Sequence, residues 1–169
     1  CKTLLAASKH DFIFWLSAFC WLYEPRPRKR NGKLLPKTIP FIPWEHQIPV
    51  IQEIRANLGF NPIGLTKSRG EGASWLADYL ALHDWIFEIE AKVGLVSNTE
   101  KKTDDPGNLD SLMAKLDWAI PKLPPWMVGV EKVDWKRNTT DHSFVHYWTK
   151  SQINGFAATH DTGRGGRYK

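Results

Sequence analysis

Sulfur is scarce in this chain, and so are long hydrophobic runs. Two of its 169 residues are Cys and two are Met. Cys1 and Cys20 stand in no C-x-x-C or other metal-ligand spacing, which excludes a disulfide scaffold and a zinc ribbon and points to a reducing, intracellular compartment. The six His are scattered. His142 and His146 lie four apart in a strand-like stretch, without the glutamate of a zinc-protease helix. Residues 12–22 are apolar and aromatic but too short to cross a bilayer, and no small-residue cleavage site follows them. Neither a membrane anchor nor a secretory signal is expected there. The chain begins at Cys1 rather than Met, so either a missing upstream portion or a removed start is expected. No repeat or low-complexity tract is present.

What is abundant is tryptophan, nine residues, together with a formal net charge of +5. Most of the Trp are expected in a core, since indole buries a large area. The basic excess favours a polyanionic partner, although a solvated basic face would produce the same total. At 42% hydrophobic and 24% charged, the composition is that of a globular domain with one sizeable core.

The pattern along the chain predicts an α/β fold. An aromatic-rich helix spans Asp11 to Tyr23. Glu24-Pro25-Arg26-Pro27-Arg28-Lys29-Arg30-Asn31-Gly32-Lys33 ends it and reads as a solvated, mobile linker or a phosphate-contacting arm. An extended Ile39–Trp44 leads to a helix from Glu45 to Leu58, stopped at Gly59. Pro62-Ile63-Gly64-Leu65-Thr66 reads as a buried strand, and Ser74–Phe87 as a helix apolar around most of its girth. Lys92–Ser97 reads as a second strand. A helix capped by Asn108 or Asp110 runs through Ala119. Ser143–Thr149 and Gln152–Thr159 pair as a hairpin whose turn, Lys150-Ser151, lacks the usual Gly or Asn. Helical crossovers between strands suggest a parallel sheet.

Chemistry concentrates in Lys67-Ser68-Arg69-Gly70-Glu71-Gly72-Ala73-Ser74, a basic, glycine-containing turn between expected strand and helix. Backbone N–H groups and the positive helix end converge on an anion in such a turn. The strict P-loop, G-x-x-x-x-G-K-[ST], is not met, because Ala73 stands where lysine belongs. Lys67, entering at the front, is the candidate phosphate cation, with Arg69 the alternative. The amides of Gly70, Glu71, Gly72, Ala73 and Ser74 would wrap the phosphates. Ser74 is placed to meet Mg²⁺. Upstream, Gln47 offers the donor and acceptor that match an adenine edge, with Trp44 or Phe41 to pack near the base. A bare basic turn with no ligand remains the alternative.

Several stretches, taken in order, resemble the N-terminal ATPase domain of the large subunit of tailed-phage terminases. They are Phe14-Trp15-Leu16, Tyr23-Glu24-Pro25-Arg26, Pro40-Phe41-Ile42-Pro43-Trp44-Glu45-His46-Gln47, and the Lys67–Trp75 turn with its basic residue moved forward. Gly94-Leu95-Val96-Ser97, Asp110-Ser111-Leu112, Lys115-Leu116, Leu123-Pro124-Pro125-Trp126-Met127 and Gly163-Arg164-Gly165-Gly166-Arg167 complete the series. The resemblance implies an incomplete RecA-like P-loop NTPase core over residues 39–169, preceded by a helical extension and basic linker over residues 1–38. It implies ATP and Mg²⁺, with hydrolysis coupled to pumping double-stranded DNA into a procapsid. Gln47 would read adenine, Lys67 or Arg69 would contact phosphate or stabilise transition-state charge, and Ser74 would hold Mg²⁺. It also implies a homo-oligomeric ring, a portal protein and a small terminase subunit as partners, no membrane, and the host cell cytoplasm. The apolar strand ending in Asp-Glu that such a motor needs is missing. In the family it follows the glycine-arginine segment, so these residues alone are expected to hydrolyse ATP poorly. A helicase-like ATPase of another lineage and a non-enzymatic, Trp-rich nucleic-acid-binding module are the competing expectations.

Overall fold

A computed structural model describes residues 1–68 and 70–158. Arg69 and the Gly163–Arg167 run therefore lie outside the described residues. Helices α1 (Lys2–His10) and α2 (Phe12–Phe19) meet at Asp11, whose extended backbone ends the first. Its carboxylate accepts the Phe14 N–H at 2.8 Å and caps the second. The expected helix to Tyr23 is thus cut short at Phe19. Trp21–Tyr23 instead forms strand β1, as its aromatic composition favours.

A second correction follows at the basic segment. Strands β2 (Lys29–Arg30) and β3 (Lys33–Leu34) form a hairpin, and β4 (Thr38–Pro40) pairs antiparallel with β1, Trp21 facing Pro40 and Tyr23 facing Thr38. Asn31 and Gly32 both take positive φ, +50° and +75°, as a tight two-residue hairpin turn requires. Backbone bonds from Phe41 to Cys20 (2.9 Å), Glu24 to Lys37 (2.8 Å) and Leu35 to Arg28 (2.8 Å) join the pieces. Residues 20–41 double back as a ribbon of two short antiparallel ladders, β1-β4 and β2-β3, where residues 24–33 were expected as a solvated, mobile linker or a phosphate-contacting arm. The prolines hid it, because Pro25, Pro27 and Pro36 interrupt the ladder without ending it.

Helix α3 (Gln47–Asn57) and helix α4 (Ala73–Phe87) fall close to expectation. Strand β5 (Lys92–Ser97), helices α5 (Glu100–Thr103) and α6 (Leu112–Ala119), a 3-10 turn (Ile120–Lys122) and the short α7 (Pro125–Val128) follow. Strands β6 (Trp135–Asn138), β7 (Ser143–His146) and β8 (Gln152–Ala157) complete a sheet ordered β5-β8-β7-β6. β5 and β8 run parallel and the other pairs antiparallel. The fold is therefore mixed α/β. The β7–β8 hairpin forms although its turn has neither Gly nor Asn, because Lys150 itself takes φ +57°. Ser151 anchors that turn below α4, its hydroxyl donating to the Glu88 carbonyl at 2.7 Å.

The expected strand at Pro62–Thr66 does not form. Residues 62–68 have no regular structure and are exposed, with Ile63 and Leu65 keeping 40% and 45% of their surface in water. They lie beside β5 across a largely apolar hollow of about 560 Å³ that Val93, Gly94 and Leu95 also line. Pro62 lacks a ladder donor, and Gly64 between the two apolar side chains loses the most backbone entropy on ordering.

The core is built on α4, which is buried along nearly its whole length. Trp15, fully buried on α2, meets the rings of Tyr79, His83 and Phe87 edge-on. The α4 helix packs on β5, β8 and α6. Gly155 on β8 permits the close approach of the next layer. A Cβ there would stand 2.7 Å from Thr103 Cγ2 and 3.0 Å from Met113 Cγ. Gly155→Ala is expected to destabilise by about 1–3 kcal/mol through overpacking, measured by urea unfolding. An unchanged midpoint would show that the layers can part.

Candidate functional site

The glycine turn closes one wall of a hollow of about 270 Å³. Lys67, Ser68, Glu71 and Ala73 line it from the turn, and Phe41, His46, Gln47 and Ile51 from the ribbon's end and α3. Two glycines make the turn possible. Gly70 (φ +91°) and Gly72 (φ +71°) both occupy the left-handed region, and Gly72 is the N-cap of α4. Among the described residues no side chain caps that helix start, which carries the positive end of the helix dipole.

Gln47 ties the two walls together. Its Nε2 donates to the Glu71 carbonyl at 3.0 Å, while its Oε1 accepts the Trp44 N–H at 3.0 Å. Both halves of the amide expected to read adenine are therefore engaged in bracing the turn. Glu71 is held as well: the Ser68 hydroxyl donates to Oε1 at 2.9 Å, and His46 Nε2 stands 3.5 Å from Oε2. Lys67 is exposed, and among the described residues its Nζ makes one local bond, donating to the Ser68 carbonyl at 3.2 Å. Such a contact is readily exchanged for an arriving anion.

The other expected residues are distributed differently. Of the two aromatic candidates, Phe41 lines the hollow, whereas Trp44 is 56% exposed and sits against the His46 ring. Ser74 is exposed and lines a separate polar hollow with Tyr23, Trp75, Asn108, Asp110 and Lys115. Arg69 lies outside the described residues. Among the described residues no group of three or more His, Cys, Asp or Glu is arranged to hold a metal ion.

Sequence reading missed His46 and the carboxylate of Glu71 as parts of this wall. It also missed an ionic cluster behind the sheet. Arg137 donates to Asp104 (2.6 Å) and Asp117 (3.1 Å), and His142 Nδ1 lies 2.8 Å from the same Asp104 oxygen. Burial pushes the Asp117 carboxyl above its ordinary range, against the pull of Arg137. Asp78, on α4 one turn past Ser74, is also driven well up by burial, with Lys115 opposing from 3.9 Å.

No helix among the described residues is long and apolar enough to cross a membrane. No protein-family model matches the chain, and no curated protein matches it.

Proposed function

We propose that this chain binds ATP at the Lys67–Ala73 turn as part of a DNA-packaging motor ATPase of the terminase kind, built on a RecA-like P-loop core. The observation that carries the reading is that Lys67, Ser68, Glu71 and Ala73, the first residue of a fifteen-residue helix, line one hollow with Gln47 and Phe41, in a turn bent by two left-handed glycines. A flexible cation and a positive helix end together suit a polyanionic phosphate chain. The apolar wall of Phe41, Ile51 and Leu76 suits a base.

The volume, about 270 Å³, accepts one end of a nucleotide rather than the whole. The base end fits the apolar wall, leaving the phosphates over the turn and within reach of Lys67. The Gln47 amide must exchange its bonds to Trp44 and Glu71 to meet a base edge, so adenine selection is coupled to turn movement. Mg²⁺ belongs to this reading as a partner of the phosphates, because the ion keeps most of its waters and binds chiefly through them. Ser74 lines a different hollow from the one proposed for the nucleotide. Arg69 keeps the alternative role of phosphate cation.

Titration with a fluorescent ATP analogue in Mg²⁺ tests the reading. Lys67→Ala is expected to weaken binding about ten- to a hundredfold, the loss of one charge-assisted hydrogen bond. Gln47→Ala should weaken it too, by freeing the turn. Binding that ignores both substitutions, or no binding by the folded protein, would remove the ATPase assignment. It would leave the non-enzymatic nucleic-acid module standing.

A further inference from the structure

We infer that the ribbon of residues 20–41 is an arm, anchored at its base, that grips the phosphate backbone of duplex DNA. The inference rests on the proposed function only for the identity of its partner. Its own grounds are charge and geometry. Residues 24–37 carry Arg26, Arg28, Lys29, Arg30, Lys33 and Lys37 against the single carboxylate of Glu24, a net of +5. That equals the formal net charge of the entire chain, so everything outside the ribbon balances to zero. A basic excess spread over a solvated surface would not gather in fourteen residues.

The cations are also presented. Arg26, Lys29, Arg30, Lys33 and Lys37 are exposed, with Arg28 half-buried. Glu24 neutralises only its neighbour: Arg26 Nε and Nη2 hold its carboxylate at 2.8 Å each, keeping its pKa down at about 2. At neutral pH that pair is closed, and Lys29, Arg30 and Lys33 are exposed around the Asn31-Gly32 turn, with Arg28 half-buried beside them and no carboxylate in residues 28–33.

The arm has a fixed base. The Tyr79 hydroxyl on α4 donates to the Trp21 carbonyl and accepts the Trp21 N–H at 3.1 Å. The ribbon is therefore clamped to the core helix that begins at the candidate nucleotide turn. Lysine and proline along an edge also discourage strand pairing, but that purpose needs no clustering of six cations within fourteen residues.

Duplex is favoured over single strand. No aromatic residue lies between Glu24 and Lys37, so the tip offers no platform for stacking bases. A two-stranded ribbon has the width that the major groove admits, and its Lys and Arg reach backbone phosphates on either side. Contacts of this kind are blind to sequence and steeply dependent on salt.

Fluorescence anisotropy with a labelled 30-bp duplex over a salt series tests the arm. The full chain is compared with Lys29→Gln/Arg30→Gln/Lys33→Gln and with Lys29→Arg/Lys33→Arg. The triple variant is expected to bind at least tenfold more weakly. Its plot of log affinity against log salt should be shallower by about 2.7, the counterions of three lost phosphate contacts. The arginine variant should bind as the parent does. Unfolding midpoints taken in parallel identify a variant that has lost its fold, and the arginine variant then carries the comparison of charge with shape. An unchanged slope, tighter binding to a single strand of equal length, or binding to anionic vesicles but not to duplex would each overturn the inference. Binding of the ATP analogue, measured on the same variants, should be untouched. If it fails everywhere while ribbon-dependent duplex binding persists, the ATPase reading falls and the arm stands. The converse result removes the arm alone.

Discussion

Trp15→Ala is expected to cost about 3–5 kcal/mol of unfolding free energy, the range for truncating a large aromatic in a core. Trp15 is completely buried, and Phe12, Tyr79, His83 and Phe87 surround its ring. Its indole N–H donates to Met127 Sδ at 3.1 Å, reaching across to α7. Alanine would leave a void between α2, α4 and α7 that these rings cannot all close at once. Domains of this size are stable by about 5–15 kcal/mol in total, so one substitution removes a large share. Trp148→Ala provides the contrast. That ring is 73% exposed, and its loss should fall within about 0.5 kcal/mol of zero. Urea unfolding followed by fluorescence measures both. A Trp15 effect below about 1 kcal/mol would mean that the aromatic cluster is not what holds the helices together.

Arg137→Met should destabilise by a similar amount, about 3–5 kcal/mol, since it strands a buried carboxylate rather than simply deleting a contact. The Asp104 side chain is 2% exposed and that of Arg137 is 7% exposed. The guanidinium also covers the Phe144 ring at 4.6 Å and donates to the Asn138 carbonyl at 2.8 Å. It thereby joins β6 to α5 and α6. Replacing Asp104 by Asn in the same protein should restore part of the loss, and a double-mutant cycle measures how much. The pH dependence has a definite sign. The folded-state pKa of Asp117 is raised, so its contribution is fully present below the ordinary carboxylate value of about 4 and is lost as pH rises through the raised one. Without Arg137 the upward pull is unopposed. The deficit of the variant should therefore narrow as pH falls toward 4. A deficit constant with pH would show that lost packing, not stranded charge, dominates.

Periodicity made most of the helices legible. Gln47–Asn57, Ala73–Phe87 and Leu112–Ala119 all carry an apolar side at helical spacing, with glycine or a polar cap near an end. Strand β5 was legible too, since Val93 and Leu95 alternate inward. The ribbon was not, because its distal strands, Lys29–Arg30 and Lys33–Leu34, are only two residues long and largely charged, and prolines interrupt the segment. Nothing in such a pattern separates a hairpin from a linker except Asn31-Gly32. The opposite error occurred at Pro62–Thr66, where an apolar composition suggested burial that the neighbouring edge of β5 does not provide.

At the candidate site, sequence alone picked out the glycine turn and Gln47, and both line the same hollow. It could not place Ser74 on the far side of the helix start, because a one-residue step turns a helical side chain by about 100° and two adjacent positions can serve different cavities. Nor could it see that Gln47 spends its amide on Trp44 and Glu71, which depends on a contact between residues far apart along the chain.

The bare backbone at Gly155 constrains how this molecule can vary. With Thr103 and Met113 pressed against that position, any side chain there must be matched by a smaller partner at one of the two. A side chain added at 155 is therefore expected to be tolerated best together with a smaller residue at 103 or 113.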